Sequence, residues 1–343
     1  MKAIVAHAAR DLRIEGRDEP EPGPGEVLIR VARGGICGSD LHYYRHGGFG
    51  TVRLREPMVL GPEVAGRVEA LGAGVAGPAP GTLVAVSPSR PCYDCALCRE
   101  GRQNHCPSMR FYGSAMPFPH VQGAFREWLL ADPRQLAVAD GLDPAAAAMA
   151  EPLAVVLHAK RRAGDLTGRR VLVTGAGPIG QLAVMVARAA GAVEVIATDV
   201  AAFPLEMARA AGADAVHDMR EDPDALAPYG EGKGRFDVLF ECSGAAEALA
   251  GAVPALRPGA VAMQLGLGGD MTLPVQAMTA REIELRGSFR FHATFFEAVD
   301  MMRAGRLDPT PLVTRTMPLD EAVAAFDLAS DRARAIKVQI AFG

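Results

Sequence analysis

No surplus of basic residues marks this sequence: 36 Lys and Arg stand against 40 Asp and Glu, a formal net charge of −4. That balance excludes the electrostatic footprint of a nucleic-acid binder, and no basic amphipathic tract offers itself to a membrane surface. Long apolar runs are missing as well. The stretch from Pro144 to Met149 is among the longest, is mostly alanine, and falls far short of a bilayer span. The opening residues, MKAIVAHAARDLRIEG, are too interrupted by charge to read as a signal peptide. A cytoplasmic location is therefore expected. There is no internal repeat, and no low-complexity tract beyond alanine-rich helix.

What is present describes a globular chain. Its 343 residues are 49% hydrophobic and 22% charged, enough for two domains of ordinary size. The first half is strand-like. Residues 27–32 (VLIRVA), 64–71 (VAGRVEAL) and 82–87 (TLVAVS) are rich in β-formers and are separated by Gly and Pro clusters such as EPEPGPG and GPAPG. An irregular all-β unit is expected over residues 1–150, with its chemistry on the loops.

The rhythm changes near residue 151. Apolar runs at 169–174, 193–199, 236–242 and 261–265 alternate with helical stretches. Such alternation predicts a doubly wound parallel sheet, placed at residues 151–288. After about residue 289 the alternation fades into helices at 295–304 and 320–328 and a strand at 335–342, a segment expected to complete the first domain. The fold class is thus α/β.

Gly175, Gly177 and Gly180 form G-x-G-x-x-G after a predicted strand and before a helix, with Pro178 near the helix start and Gly191 past its end. The first glycine permits a tight turn, the second lets backbone approach a pyrophosphate, and the third brings helix close to strand. The helix N-terminus offers free N–H groups to phosphate. Asp199 closes the next strand, where a carboxylate can bond ribose hydroxyls and repel a 2′-phosphate. The residues after it, VAAFPL, carry no cation to welcome that phosphate. NAD is therefore expected over NADP. Pro178 and Ile179 within the turn, and Leu265 and Leu267 after a later strand, complete the expected cofactor set.

Six cysteines are present, and four of them, Cys92, Cys95, Cys98 and Cys106, crowd into residues 92–106 as C-x2-C-x2-C-x7-C. Four thiolates satisfy tetrahedral zinc and leave no position open, so a structural zinc lobe is expected. An iron–sulfur cluster and disulfides are the alternatives, and the expected compartment argues against the latter.

The stretches GGICGSDLHYY (34–44), the four-cysteine lobe, AEPL (150–153) and GAGPIG (175–180) together resemble the zinc-dependent medium-chain dehydrogenases. The resemblance covers essentially the whole chain and is strongest to the sorbitol dehydrogenase branch. It implies a GroES-like catalytic domain joined to a Rossmann domain. The implied reaction is oxidation of a secondary alcohol of a polyol or sugar acid, with L-idonate to 5-keto-D-gluconate foremost. It also implies a homodimer or homotetramer acting on a small molecule. By position, Cys37 matches the thiolate of a catalytic zinc, Glu151 a carboxylate near that metal and Glu63 the acid beside it. Ser39 matches the hydroxyl that takes the substrate proton and His42 the residue that passes it on; Ser39 is expected in the same loop as Cys37. Tyr43 and Phe111 are expected as pocket walls, and Arg290 as a fork for a substrate carboxylate.

One position departs from the pattern. The family reads G-H-E where this chain reads Gly61-Pro62-Glu63. Proline has no side-chain donor, so it cannot replace the histidine. Three arrangements stay open on sequence alone: zinc held weakly by Cys37, Glu63, Glu151 and water; no zinc; or a substitution that weakens activity. A zinc-free reductase on the same scaffold and a catalytically weakened NAD-binding protein are the corresponding alternatives.

Overall fold

The computed structural model describes all 343 residues. They divide into two compact units. The first comprises residues 1–154, 291–331 and 337–343, and the second comprises residues 155–290 and 332–336. No helix is long and apolar enough to cross a membrane.

The first unit is built on a seven-stranded sheet. Its path runs Leu136–Val138, Leu83–Val86, Glu63–Leu71, Val27–Gly35, Lys337–Ala341 and Val313–Pro318, with Trp128–Ala131 also pairing with Val27–Gly35. Val27, Ile29 and Val31 alternate inward along their strand, the period of a half-buried β-strand. Its register sets Gly35 opposite Glu63 on one side and opposite Gln339 on the other. Three segments distant in sequence therefore meet at one rung of the sheet. Gly35 is needed there, because a Cβ at that position would collide with the Glu63 carboxylate.

Sequence placed the residues after Cys37 in a loop; the structure makes them a helix, Gly38–His46. Asp40 supplies the reason. Its side chain accepts a hydrogen bond from the Cys37 backbone N–H, the return half of a capping box that starts the helix at Cys37. Gly47 ends it in the left-handed conformation, φ 67°.

The second unit is a six-stranded, all-parallel sheet. Its order is Ala215–Asp218, Glu194–Asp199, Arg170–Thr174, Phe236–Glu241, Leu256–Gln264 and Glu284–Gly287. In chain order that is 3-2-1-4-5-6, the Rossmann arrangement. Phe236–Glu241 is buried along its whole length, as a strand covered on both faces must be. The order reverses between Arg170–Thr174 and Phe236–Glu241, and ligands of open α/β sheets bind at such a point. The strands at Ala215–Asp218 and Glu284–Gly287 were not foreseen from sequence. Both are short edge strands with little apolar content, so periodicity gives no signal for them.

Candidate active site and cofactor pocket

In the second unit, the turn from Gly175 leads directly into the helix Pro178–Ala189, with Gly177 as its N-cap and Pro178 at its first position. Gly175 has φ 84°, and a Cβ on it would press against Ser243 of the neighbouring loop. A Cβ on Gly180 would collide with the Gly175 carbonyl. Gly177 differs: around it lies open space, with only the Arg332 guanidinium near, 4.0 Å from where a Cβ would stand. The turn is thus closed on its inner side and open where a pyrophosphate would pass. Pro178 and Ile179 form the first turn of the helix and are partly exposed.

Thr174, Gly175, Asp199, Val200, Ser243 and Arg332 line a cavity of about 610 Å³ with other residues. Asp199 is buried and anchors the turn. Its Oδ2 accepts the Ala176 N–H and its Oδ1 accepts the Val200 N–H, each at 2.7 Å. Each oxygen retains lone-pair capacity for a ribose hydroxyl. The cradle fits a dinucleotide. Leu265 and Leu267 do not line this cavity: Leu265 donates its N–H to the Glu241 carbonyl, and the Leu267 side chain is 71% exposed.

In the first unit the lobe draws Cys92, Cys95, Cys98 and Cys106 into one group, all four sulfurs within 4.8 Å of one another. The Cys92–Cys106 separation is 3.5 Å and the Cys92–Cys98 and Cys95–Cys106 separations are 4.0 Å. Four sulfurs about 2.3 Å from a central zinc in a tetrahedron would lie about 3.8 Å apart, so the lobe fits zinc. Backbone N–H groups of Asp94 and Cys95 pull the exposed Cys92 thiol down to about 6, whereas burial pushes Cys98 up to about 12. A divalent cation is what would let all four ionise together.

The Cys37 region is organised differently. Pro62 is buried with no donor to offer. Next to it, Glu63 is 1% exposed and both its oxygens accept from Lys337 Nζ, at 2.9 and 2.8 Å, while the same ammonium donates to the Ile36 carbonyl at 3.1 Å. Burial works against the Lys337 charge, but the attraction of Glu63 outweighs it and holds the ammonium above its ordinary value. Asp40 ties the region together: its Oδ2 accepts the Cys37 N–H at 2.9 Å and its Oδ1 accepts the Gly61 N–H at 3.0 Å. Burial, opposed by those two bonds, pushes its carboxyl up to about 7.

Glu151 is buried in the first turn of the helix Ala150–Ala163 and acts electrostatically on both Cys37 and Lys337. Burial, then the charges of Glu63, Glu151 and Asp40, push the Cys37 thiol well above its ordinary value. The structure therefore brings Cys37, Glu63 and Glu151 into one electrostatic neighbourhood. It does not gather them into a ligand set, for the group of three or more ligand atoms that forms within 4.8 Å is the cysteine lobe. The cluster's excess of carboxylates favours a cation, yet its donors fall short of a resident zinc: one ligand position is proline and one carboxylate is committed to an ammonium.

Ser39 and His42 stand three apart on the helix Gly38–His46, hence on one face. Burial, then His46 and Arg45, lower the His42 imidazole below its ordinary range, so its neutral form is favoured near pH 7. Tyr43 is buried against Phe49, with its hydroxyl accepting the Ala115 N–H at 3.0 Å. Phe111 is partly exposed in a short strand paired with Ser89–Arg90. Arg290, in the second unit, has φ 52° and lies 5.0 Å from the Phe289 ring centre.

Sequence reasoning missed Asp40, Lys337 and Arg332. A lone lysine in an apolar strand, AIKVQIAF, was the available signal for Lys337. Asp40 showed only as the third residue after Cys37, and nothing local pointed to Arg332.

A GroES-like unit with a cysteine zinc lobe, together with a Rossmann unit carrying a glycine turn, defines a medium-chain dehydrogenase. The chain belongs to the zinc-binding alcohol and polyol dehydrogenase family and is an oxidoreductase. The alcohol dehydrogenase GroES-like domain matches residues 23–140, and the zinc-binding dehydrogenase domain matches residues 178–304. The chain is 40% identical to L-idonate 5-dehydrogenase (NAD(P)(+)) of Escherichia coli K12 over 318 residues, 92% of each chain. It is 38% identical to human sorbitol dehydrogenase over 335 residues, 95% of this chain and 91% of that one. The crystal structure of the E. coli L-idonate 5-dehydrogenase superposes with a TM-score of 0.93 at 37% identity, covering 99% of this chain and 97% of that one.

Three outcomes are expected. Cys98→Ser should release the lobe's zinc and open residues 92–106 to protease, measured by metal analysis and limited proteolysis; an unaltered zinc content would discount the lobe as a metal site. Lys337→Met leaves Glu63 buried without its cation and should cost about 3–5 kcal/mol of stability in urea unfolding. Adding Glu63→Gln to it should recover part of that loss. Pro62→His restores a nitrogen donor and should raise both zinc per chain and kcat; no change in either would mean that residue 62 does not limit the site.

Proposed function

We propose that this protein oxidises a secondary alcohol of a sugar acid, L-idonate to 5-keto-D-gluconate foremost, with NAD as the hydride acceptor. The observation that carries the reading is the likeness to the E. coli L-idonate enzyme along 92% of both chains. The dinucleotide cradle from Gly175 to Gly180 and the buried Asp199 support it. Bound nicotinamide supplies the electrophilic carbon that takes hydride from the carbinol carbon.

The chain's own groups handle binding and the proton. Ser39 takes the hydroxyl proton, and His42, neutral and on the same helix face, receives it. Asp199 bonds the adenosine ribose, and the acids Asp199, Asp224 and Glu247 around that pocket disfavour a 2′-phosphate, so NAD is preferred to NADP. The positive φ of Arg290 is an unusual conformation for a side-chain-bearing residue, the kind held in place for function; its guanidinium forks onto the substrate carboxylate. The lobe holds zinc structurally. The enzyme acts in the cytoplasm as a homodimer or homotetramer.

A second reading has a specific observation behind it. With Pro62 in the ligand position and Glu63 bound to Lys337, the site polarises its substrate by hydrogen bonds alone and works as a zinc-free reductase. Hydrogen bonds stabilise an alkoxide less than a metal does, so this version turns over more slowly in both directions.

Steady-state kinetics with L-idonate and sorbitol, each with NAD and NADP, test the first reading. L-Idonate with NAD should give the highest kcat/KM. Arg290→Ala should raise KM for idonate more than for sorbitol, which lacks the carboxylate. Equal effects on both would remove Arg290 from substrate binding, and full turnover by protein carrying one zinc per chain, that of the lobe, would favour the second reading.

A further inference from the structure

The last segment of the chain makes a short excursion. Residues up to Asp331 belong to the first unit and residues from Lys337 onward return to it, yet Arg332–Ile336 packs with the second unit. Arg332 heads that segment. It is exposed, its side chain lines the dinucleotide cavity, and its guanidinium makes no hydrogen bond or ion pair within the chain. Its Nη2 is the atom that stands nearest to the missing Cβ of Gly177, at 4.0 Å.

The surroundings give that position meaning. Asp199, Asp224 and Glu247 line the same cavity, and Arg332 is its one basic residue. A dinucleotide brings two negative phosphates into this acidic pocket. Against them stand the N-terminus of the helix Pro178–Ala189, worth about half a unit charge, and the Arg332 fork. A guanidinium matches phosphate oxygens two at a time, and an unpartnered one loses no internal bond on meeting them.

We propose that Arg332 holds the pyrophosphate of the bound dinucleotide against Gly177, acting as a cofactor-positioning residue. The inference rests on the dehydrogenase reading above and adds to it the cation that makes this acidic pocket able to bind. The guanidinium sits beside the glycine turn rather than being offered as a partner for a 2′-phosphate, so it serves NADH and NADPH alike and does not choose between them.

Equilibrium binding tests it without turnover. NADH, NADPH, ADP-ribose and adenosine are titrated calorimetrically into the wild-type protein, Arg332→Ala and Arg332→Lys, with circular dichroism confirming that the variants fold. Arg332→Ala should raise Kd for NADH, NADPH and ADP-ribose by a common factor of about ten or more, the loss of a charge-assisted hydrogen bond. Adenosine binding should not change, and Arg332→Lys should restore part of the affinity. NADH binding should also become less sensitive to salt in the alanine variant. Unchanged Kd values for NADH and ADP-ribose would overturn the proposal, as would a loss confined to NADPH, which would assign the guanidinium to the 2′-phosphate. Wild-type protein that bound neither NADH nor NADPH would instead overturn the dehydrogenase reading, and this proposal with it.

Discussion

A carboxylate buried as deeply as Glu63 must have a cation, and much of the first unit is arranged to provide one. The Lys337 ammonium meets both Glu63 oxygens and the Ile36 carbonyl, so its three protons are all donated. Glu63, Ile36 and Lys337 are far apart in sequence. Their meeting depends on Val27–Gly35 lying between Glu63–Leu71 and Lys337–Ala341 in the sheet. Asp40 extends the same network by accepting the N–H groups of Cys37 and Gly61. Cys37 therefore stands next to both arrangements, its N–H held by Asp40 and its neighbour Ile36 held by Lys337.

The two cysteine regions of this unit show how differently a similar ligand chemistry can be held. In the lobe, short spacers along one stretch of chain bring four sulfurs to tetrahedral separations, and nothing else competes for them. Around Cys37 the acids come from separate elements, and each has protein partners already. Glu63 has Lys337, and Asp40 has two backbone N–H groups. A metal entering there would find the Glu63 carboxylate engaged by an ammonium and no donor from proline at residue 62. The protein is thus a family member whose four lobe cysteines have the spacing of a tetrahedral site and whose Cys37 region contains a buried ammonium.

How much of this could be read in advance follows the range of the interactions. The glycine turn, its helix and the four-cysteine lobe were legible because each is encoded within about twenty residues, where spacing carries the geometry. The Rossmann sheet was legible through its buried strands, while Ala215–Asp218 and Glu284–Gly287 were hidden by short length and mixed polarity. The helix at Gly38 carries no apolar periodicity, because its start depends on a capping bond. Lys337 and Asp40 each meet a partner distant in sequence, Glu63 and Gly61, and no local pattern reports such a partner. Leu265 and Leu267 are expected beside the cofactor from their place after a strand, and they lie outside the cavity that Asp199 and Arg332 line.

Gly35 carries one more implication. Its rung pairs it with Glu63, and a strand slipped by a single residue would turn every side chain to the opposite face. Glu63 would then point away from Lys337, leaving an acid stranded in the interior at a cost of several kcal/mol. Misaligned pairing of these strands is thereby penalised by a stranded charge in addition to the loss of apolar contact. Correct register at this rung is thus a matter of charge as well as of shape, since acid and ammonium meet only when the strands are aligned.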